Sequence, residues 1–346
     1  MRVYSIELLR IIFTFFIIFG HFIAKMPELS AKLSHKPFYN TGFGVECFFI
    51  IAGFFLYEKL KNRQPDIKKF VSGIYLRVAP AFILAFLLNV VFFSGKFTNI
   101  FSVLFLNTGL SLPGEINGWG DWFVGVYFWI MLFYFILLGS ASRLKFLWIF
   151  ILVYIALCLK INIPPLENAF VKNYVPLNGT YYGFIGVSVV RGIYGIGMGI
   201  LTNAFISELN MNLNKTGKII FTFVEVLTSG FLLAYLVSGL GTQLFNILII
   251  FCILLSSFYK GWGYLSVFLN RFNVFETIAK YSFPVFILHV IVVKLSMKLD
   301  LFKYQNLAVL SMMLLFSALL GILEYQLFEK RFLVYCKNKF GNAKKG

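Results

Sequence analysis

Residues 6–22 read IELLRIIFTFFIIFGHF, an apolar run of spanning length that contains Glu7, Arg10 and His21. A run of this length reads as a transmembrane helix, and ionisable groups inside one mark a functional site by default. At 100° per residue, the eleven residues from Arg10 to His21 leave the two side chains about 20° apart. Glu7 falls about 40° from His21, and Thr14 lies on the same face. The rise of 1.5 Å per residue separates Arg10 from His21 by roughly 16 Å, around half the hydrocarbon thickness. One helix therefore carries a polar stripe from one membrane edge into the opposite leaflet.

The rest of the chain extends this reading. Of its 346 residues, 60% are hydrophobic and only 13% charged, and the mean hydropathy is +0.84. Soluble domains carry about 25% charged residues. Further apolar runs fall near 41–58, 74–94, 119–139, 145–160, 181–205, 217–238, 243–258, 280–298 and 306–325. They are continuous and lack strict alternation, so helices rather than a barrel are expected. The expected fold is all-α: a polytopic bundle of about ten transmembrane helices. A single transmembrane domain over 1–330 would be followed by a short basic cytosolic tail, 331–346. The stretch 97–112, FTNIFSVLFLNTGLSL, suits a re-entrant or interfacial segment as well as another span. The first run is long and striped, with no small-x-small pattern after it, and is expected to be a retained helix rather than a signal peptide.

Lys and Arg set the orientation. Lys59, Lys61, Arg63, Lys68 and Lys69 fall in one connection, and Lys330, Arg331, Lys337, Lys339, Lys344 and Lys345 near the C-terminus. With ten spans these share a side, which places both termini in the cytosol. The net charge of +17 follows this pattern and forms no soluble basic domain. Anionic lipid is the expected partner, and nucleic acid is excluded. Cys47, Cys158, Cys252 and Cys336 are scattered without ligand spacing, which argues against a zinc site or a disulfide framework, and no metal is expected. RGIYGIGMGIL at 191–201 is glycine-rich but lies inside an apolar run with no preceding strand. Close helix packing explains it better than a nucleotide loop.

Over nearly its full length the chain resembles the acyltransferase-3 family of membrane acyltransferases, which acylate bacterial surface glycans. The resemblance rests on the Arg10 to His21 spacing in IELLRIIFTFFIIFGHF and on FGVECFFIIAGFFL at 43–56, where Glu46 holds the acidic position. It continues in family order through YLRVAPAF at 75–82, WGDWFVGVYFWIMLFYF at 119–135, RGIYGIGMGIL at 191–201, YSFPVFILHVIV at 281–292 and EYQLFEKRF at 324–332. The family often has two arginines three apart before its third helix, whereas here Ile74 precedes Arg77. With a short basic tail after the last run, no fused extracytoplasmic hydrolase-like domain is expected, and a separate extracytoplasmic partner or a homo-oligomer would fill that role if one is needed.

The resemblance implies O-acyl transfer, most simply of acetyl, from cytosolic acyl-CoA to a hydroxyl of a lipopolysaccharide, capsule, exopolysaccharide or lipid-linked precursor at the inner membrane. No cofactor is held permanently; acyl-CoA is a co-substrate. His21 is expected to be the catalytic base, with Glu46 fixing its tautomer, or to be itself acylated and hand the group on. Arg77, Arg10 and Arg191 are expected to bind the donor's phosphates or polar arm. Asp121, Trp119 and His289 are the expected acceptor contacts. Each residue has a plainer reading. Arg10 can pair with Glu7, His289 can serve helix packing, Asp121 can cap a helix beside an interfacial Trp, and Glu324 and Glu329 can pair with nearby lysines. A transporter or flippase of glycan precursors is the rival class, and it predicts repeated halves that the sequence does not display.

Overall fold

The computed structural model describes residues 3–33, 40–62, 65–93, 121–140, 142, 144–161, 180–181, 185–209, 211–238, 244–332 and 334. They form helices α1 (Tyr4–Ile23), α2 (Pro27–Leu33), α3 (Phe43–Leu60), α4 (Ile67–Phe93), α5 (Asp121–Gly139) and α6 (Lys145–Ile161). A two-residue hairpin of β1 (Thr180–Tyr181) and β2 (Ile185–Gly186) follows, pairing Thr180 with Gly186 and Tyr181 with Ile185. Next come α7 (Val187–Ser207), α8 (Lys215–Ser238), α9 (Leu244–Lys260), α10 (Tyr264–Leu269), α11 (Val274–Ala279), α12 (Ser282–Lys298) and α13 (Leu307–Glu324). A single π-turn, Tyr325–Glu329, extends α13. The hairpin is a small departure from a purely helical fold.

Each of the ten apolar runs read from the sequence overlaps a helix, although the run 181–205 opens on the hairpin and its helix starts at Val187. Among the described residues, six of these are long and apolar enough to cross a membrane: Tyr4–Ile23, Ile67–Phe93, Trp122–Gly139, Val187–Ser207, Lys215–Val237 and Leu307–Phe332. Of the other four, α6, α9 and α12 have 17 residues each. α3 has 18 residues but includes Glu46, Glu58 and Lys59. The segment 97–112 and Trp119 lie outside the described residues, as does nearly all of the basic tail. The outward faces are apolar, as on α8, where Phe223 and Leu227 are about two-thirds exposed (65% and 68%). Such a surface suits lipid, and the protein is a multi-pass membrane protein.

α3 and α7 form the most extensive helix contact, and α5, α6 and α9 pack around them. Small residues make this possible. A side chain at Gly53 would overlap the carbonyl of Ile196, and one at Gly199 would overlap the carbonyl of Ile50. Gly192 faces Val126 and Ile130 of α5, while Gly197 faces Val153 of α6 and Tyr134 of α5. The glycines of RGIYGIGMGIL thus let three neighbouring helices approach α7, as the packing reading requires. α1 lies against α3, α11, α12 and α13. It meets α3 where Gly20 faces Thr41 and Gly44 faces Ile17.

Replacing Gly199 with valine forces two backbones apart, and overpacking of this kind costs at least about 1–3 kcal/mol. The variant is expected to melt well below wild type in detergent-solution thermal unfolding. Gly230→Ala, at a position with open space around it, is expected to unfold at or slightly above the wild-type temperature.

Candidate functional site

The polar stripe of α1 has two ends, and each meets a different set of partners. At the first end Arg10 Nη1 lies 3.3 Å from Glu7 Oε2 in an i,i+3 ion pair. At the other end His21 Nδ1 is 2.6 Å from Nε2 of His289 on α12. The two imidazole planes lie within 7° of parallel. Nδ1 of His289, which is fully buried, is hydrogen-bonded to the carbonyl oxygen of Phe286.

That arrangement assigns the protons. A carbonyl oxygen only accepts, so His289 Nδ1 carries a hydrogen and donates it. In a neutral ring His289 Nε2 is then the acceptor, and His21 Nδ1 is the donor to it. The remaining nitrogen of His21, Nε2, bears a lone pair. An imidazole whose one nitrogen is held as a donor, leaving the other as an acceptor, is the form a general base needs.

The expected His21–Glu46 contact does not form. Glu46 accepts from Arg191 Nε at 2.7 Å and Arg191 Nη2 at 2.8 Å, and from the Tyr194 hydroxyl at 3.0 Å. The reason is angular. Gly44 faces Ile17 of α1, and two further residues rotate Glu46 by about 200°, onto the far side of α3. That is the side that packs on α7.

The guanidinium of Arg191 makes a bidentate bond with Glu46 and lies 4.8 Å from the Trp122 ring centroid. It also donates to the Gly42 carbonyl at 3.3 Å. It stands one turn into α7. His289 is the partner of His21, and both of its nitrogens are engaged within the protein. Trp119 and the side chain of Asp121 lie outside the described residues, although Asp121 opens α5.

Below the histidine pair a cavity of about 280 Å³ opens between α1, α3, α4, α5 and the α11–α12 junction. Arg10, Lys59 and Arg77 line it with positive charge, while Phe48, Phe123 and Phe286 form an apolar wall. The three rings touch one another, with centroids 5.2 to 6.4 Å apart. Phe286 belongs to both features: its ring walls the cavity and its carbonyl orients His289. The cavity suits a ligand with an anionic end and a slender, less polar arm.

Lys59 escaped the sequence reading because it was counted only toward membrane orientation. The pairing of His21 with His289 had a signal, as two of the three histidines fall in apolar runs, but only the fold brings them together. Glu324 and Glu329 do not form the expected local pairs. Both oxygens of Glu324 and Oε2 of Glu329 are buried without a hydrogen-bond partner, on or beside the π-turn, a helix irregularity frequent at functional sites. Among the described residues no group of three or more metal-ligating side chains occurs.

The model of the acyltransferase-3 family, described as an acyltransferase domain, matches residues 3–323. No curated protein and no solved structure matches the chain.

Glu46→Ala strands a buried guanidinium and is expected to destabilise the protein by about 3–5 kcal/mol in denaturant unfolding. Replacing Glu46 and Arg191 together with leucine is expected to recover part of that loss.

Proposed function

The chain belongs to the acyltransferase-3 family, and from that premise we propose that it moves an acyl group, acetyl foremost, from cytosolic acyl-CoA to a hydroxyl of a surface polysaccharide or its lipid-linked precursor. The observation that carries the reading is the oriented His21–His289 pair standing above a cationic cavity on one face of α1. The site joins the two kinds of chemistry that such a transfer needs.

At the cavity, Arg77, Lys59 and Arg10 are the groups that hold the donor's phosphates. Arginine does this through paired N–H donors, and lysine as a point charge. Ile74, in the place of a second arginine, lines the same cavity, and Lys59 supplies a cation from α3 instead. At the histidines, Nε2 of His21 takes the proton of the acceptor hydroxyl as its oxygen attacks the thioester carbonyl. The new C–O bond forms, the C–S bond breaks, and the departing thiolate takes the proton from the imidazolium. His289 holds His21 in the required tautomer, doing through a backbone carbonyl what a carboxylate does in a hydrolase triad. In the second version of the step, Nε2 attacks the thioester carbonyl and the C–S bond breaks to release the thiolate. The hydroxyl oxygen then attacks the acyl-imidazolium, its C–N bond breaks, and the hydroxyl proton passes to the thiolate.

The donor end of the cavity is assigned to the cytosolic side, where the basic connection 59–69 lies, and His21 to the opposite leaflet. The membrane is the bacterial inner membrane, with anionic lipid beside the basic segments. Lipopolysaccharide, capsule and exopolysaccharide are the acceptor classes that fit. Glu46 and Arg191 serve this site by fixing α3 to α7. Asp121 and Trp119, at the start of α5, remain assigned to the acceptor.

Mass spectrometry of surface glycans tests the reading. Deleting the gene is expected to remove an acyl mass that wild type restores and His21→Ala does not, because loss of a general base costs about 10²–10⁴-fold. A glycan that keeps its acyl groups but fails to reach the surface would favour the transporter reading. Arg77→Ala is expected to raise the KM for the donor by roughly 10- to 100-fold, the weight of hydrogen bonds to a charged group.

A further inference from the structure

Hydroxyl groups inside the helices of this protein usually bond back to the carbonyl one turn earlier. Thr222 bonds to Lys218 at 2.7 Å, Thr228 to Val224 at 2.6 Å, Ser256 to Cys252 at 2.7 Å and Ser317 to Met313 at 2.8 Å. In an apolar surrounding this local bond satisfies the hydroxyl without any other partner. Thr14 departs from the pattern. Its side chain is buried at 6% exposure, and its Oγ1 has no hydrogen-bond partner.

Thr14 also lines the cationic cavity. A buried polar atom left without a partner costs free energy comparable to a lost hydrogen bond, about 1–3 kcal/mol. Here that atom belongs to a residue that lines a space able to hold a ligand. On α1 it sits one turn beyond Arg10 and on the same face as His21. It shares the cavity lining with Phe48, Phe123 and Phe286.

Depth decides which part of a donor Thr14 can reach. Seven residues separate Thr14 from His21, a rise of about 10 Å. A thioester reacting at His21 is therefore out of reach of Thr14. The donor's phosphates are held by Arg10, Lys59 and Arg77. Between phosphates and thioester, a coenzyme A donor carries an arm with two amide groups. We propose that Thr14 is a binding residue for this arm: its hydroxyl donates a hydrogen bond to an amide carbonyl, fixing how far the thioester extends toward His21. The aromatic wall packs the methylenes on either side of that amide. This inference rests on the acyl-CoA reading above.

The test is calorimetric binding to the purified full-length protein in detergent, for wild type, Thr14→Val and Thr14→Ser. Two ligands are used: coenzyme A, and adenosine 3′,5′-bisphosphate, which lacks the arm. Valine keeps the shape of threonine and removes the hydroxyl. Thr14→Val is expected to weaken coenzyme A binding roughly 3- to 10-fold, the weight of one neutral hydrogen bond. Thr14→Ser is expected to bind as wild type does, and all three proteins are expected to bind the bisphosphate equally. Equal coenzyme A affinity in Thr14→Val and wild type overturns the role of Thr14 and leaves the donor reading standing. Parallel loss of both ligands in Thr14→Val also overturns it, since a deformed cavity rather than a lost amide contact would explain the effect. Should wild type bind neither ligand, the acyl-CoA reading itself falls.

Discussion

Polar groups within hydrocarbon must find their partners inside the protein, because no water is there to supply them. This constraint organises the bundle. Glu46 is met by Arg191 and Tyr194 across α3 and α7. Lys294 of α12 reaches Asn89 of α4 at 2.7 Å. Glu225 of α8 accepts from the Ser257 hydroxyl and from the backbone amides of Gly263 and Ser266, tying α8 to the α9–α10 corner. His21 and His289 join α1 to α12 in the same way. Each of these contacts fixes the rotation of two helices at once, which non-directional apolar packing in lipid does less sharply.

Against that background the exceptions carry information. Thr14, Glu324 and Glu329 hold buried oxygen atoms that the protein itself leaves without partners. Thr14 lines a cationic cavity, whereas the two glutamates flank the π-turn at the end of α13. Among the described residues the other buried polar side-chain atoms find partners within the protein, and these few stand apart from them. For Thr14, the proposed partner is the amide arm of a donor held at Arg10, Lys59 and Arg77.

The sequence disclosed what depends on one helix at a time. Each of the ten apolar runs overlaps a helix, and the stripe of Arg10, Thr14 and His21 follows directly from 100° per residue. The glycines at 192, 195, 197 and 199 could be read as packing positions because they fall within an apolar span. Relations between helices were harder to see. The resemblance implies that Glu46 meets His21, yet Gly44 occupies the face of α3 that turns to α1, and Glu46 bonds to residues of α7. His289, about 270 positions from His21 in the chain, was visible only as a polar residue in an apolar run. Lys59 resembled an ordinary interfacial lysine until α1, α4 and α5 closed around it.

The central claim is that one column, from the cationic cavity to the histidine pair, carries an acyl group from one face of the membrane to an acceptor on the other. It is tested most directly with the purified protein in sealed liposomes, with labelled acetyl-CoA on one side and the acceptor glycan on the other. The account predicts label on the glycan when the donor is on the side of residues 59–69, with unlabelled coenzyme A remaining on that side. Label transferred only when donor and acceptor share a compartment would contradict it.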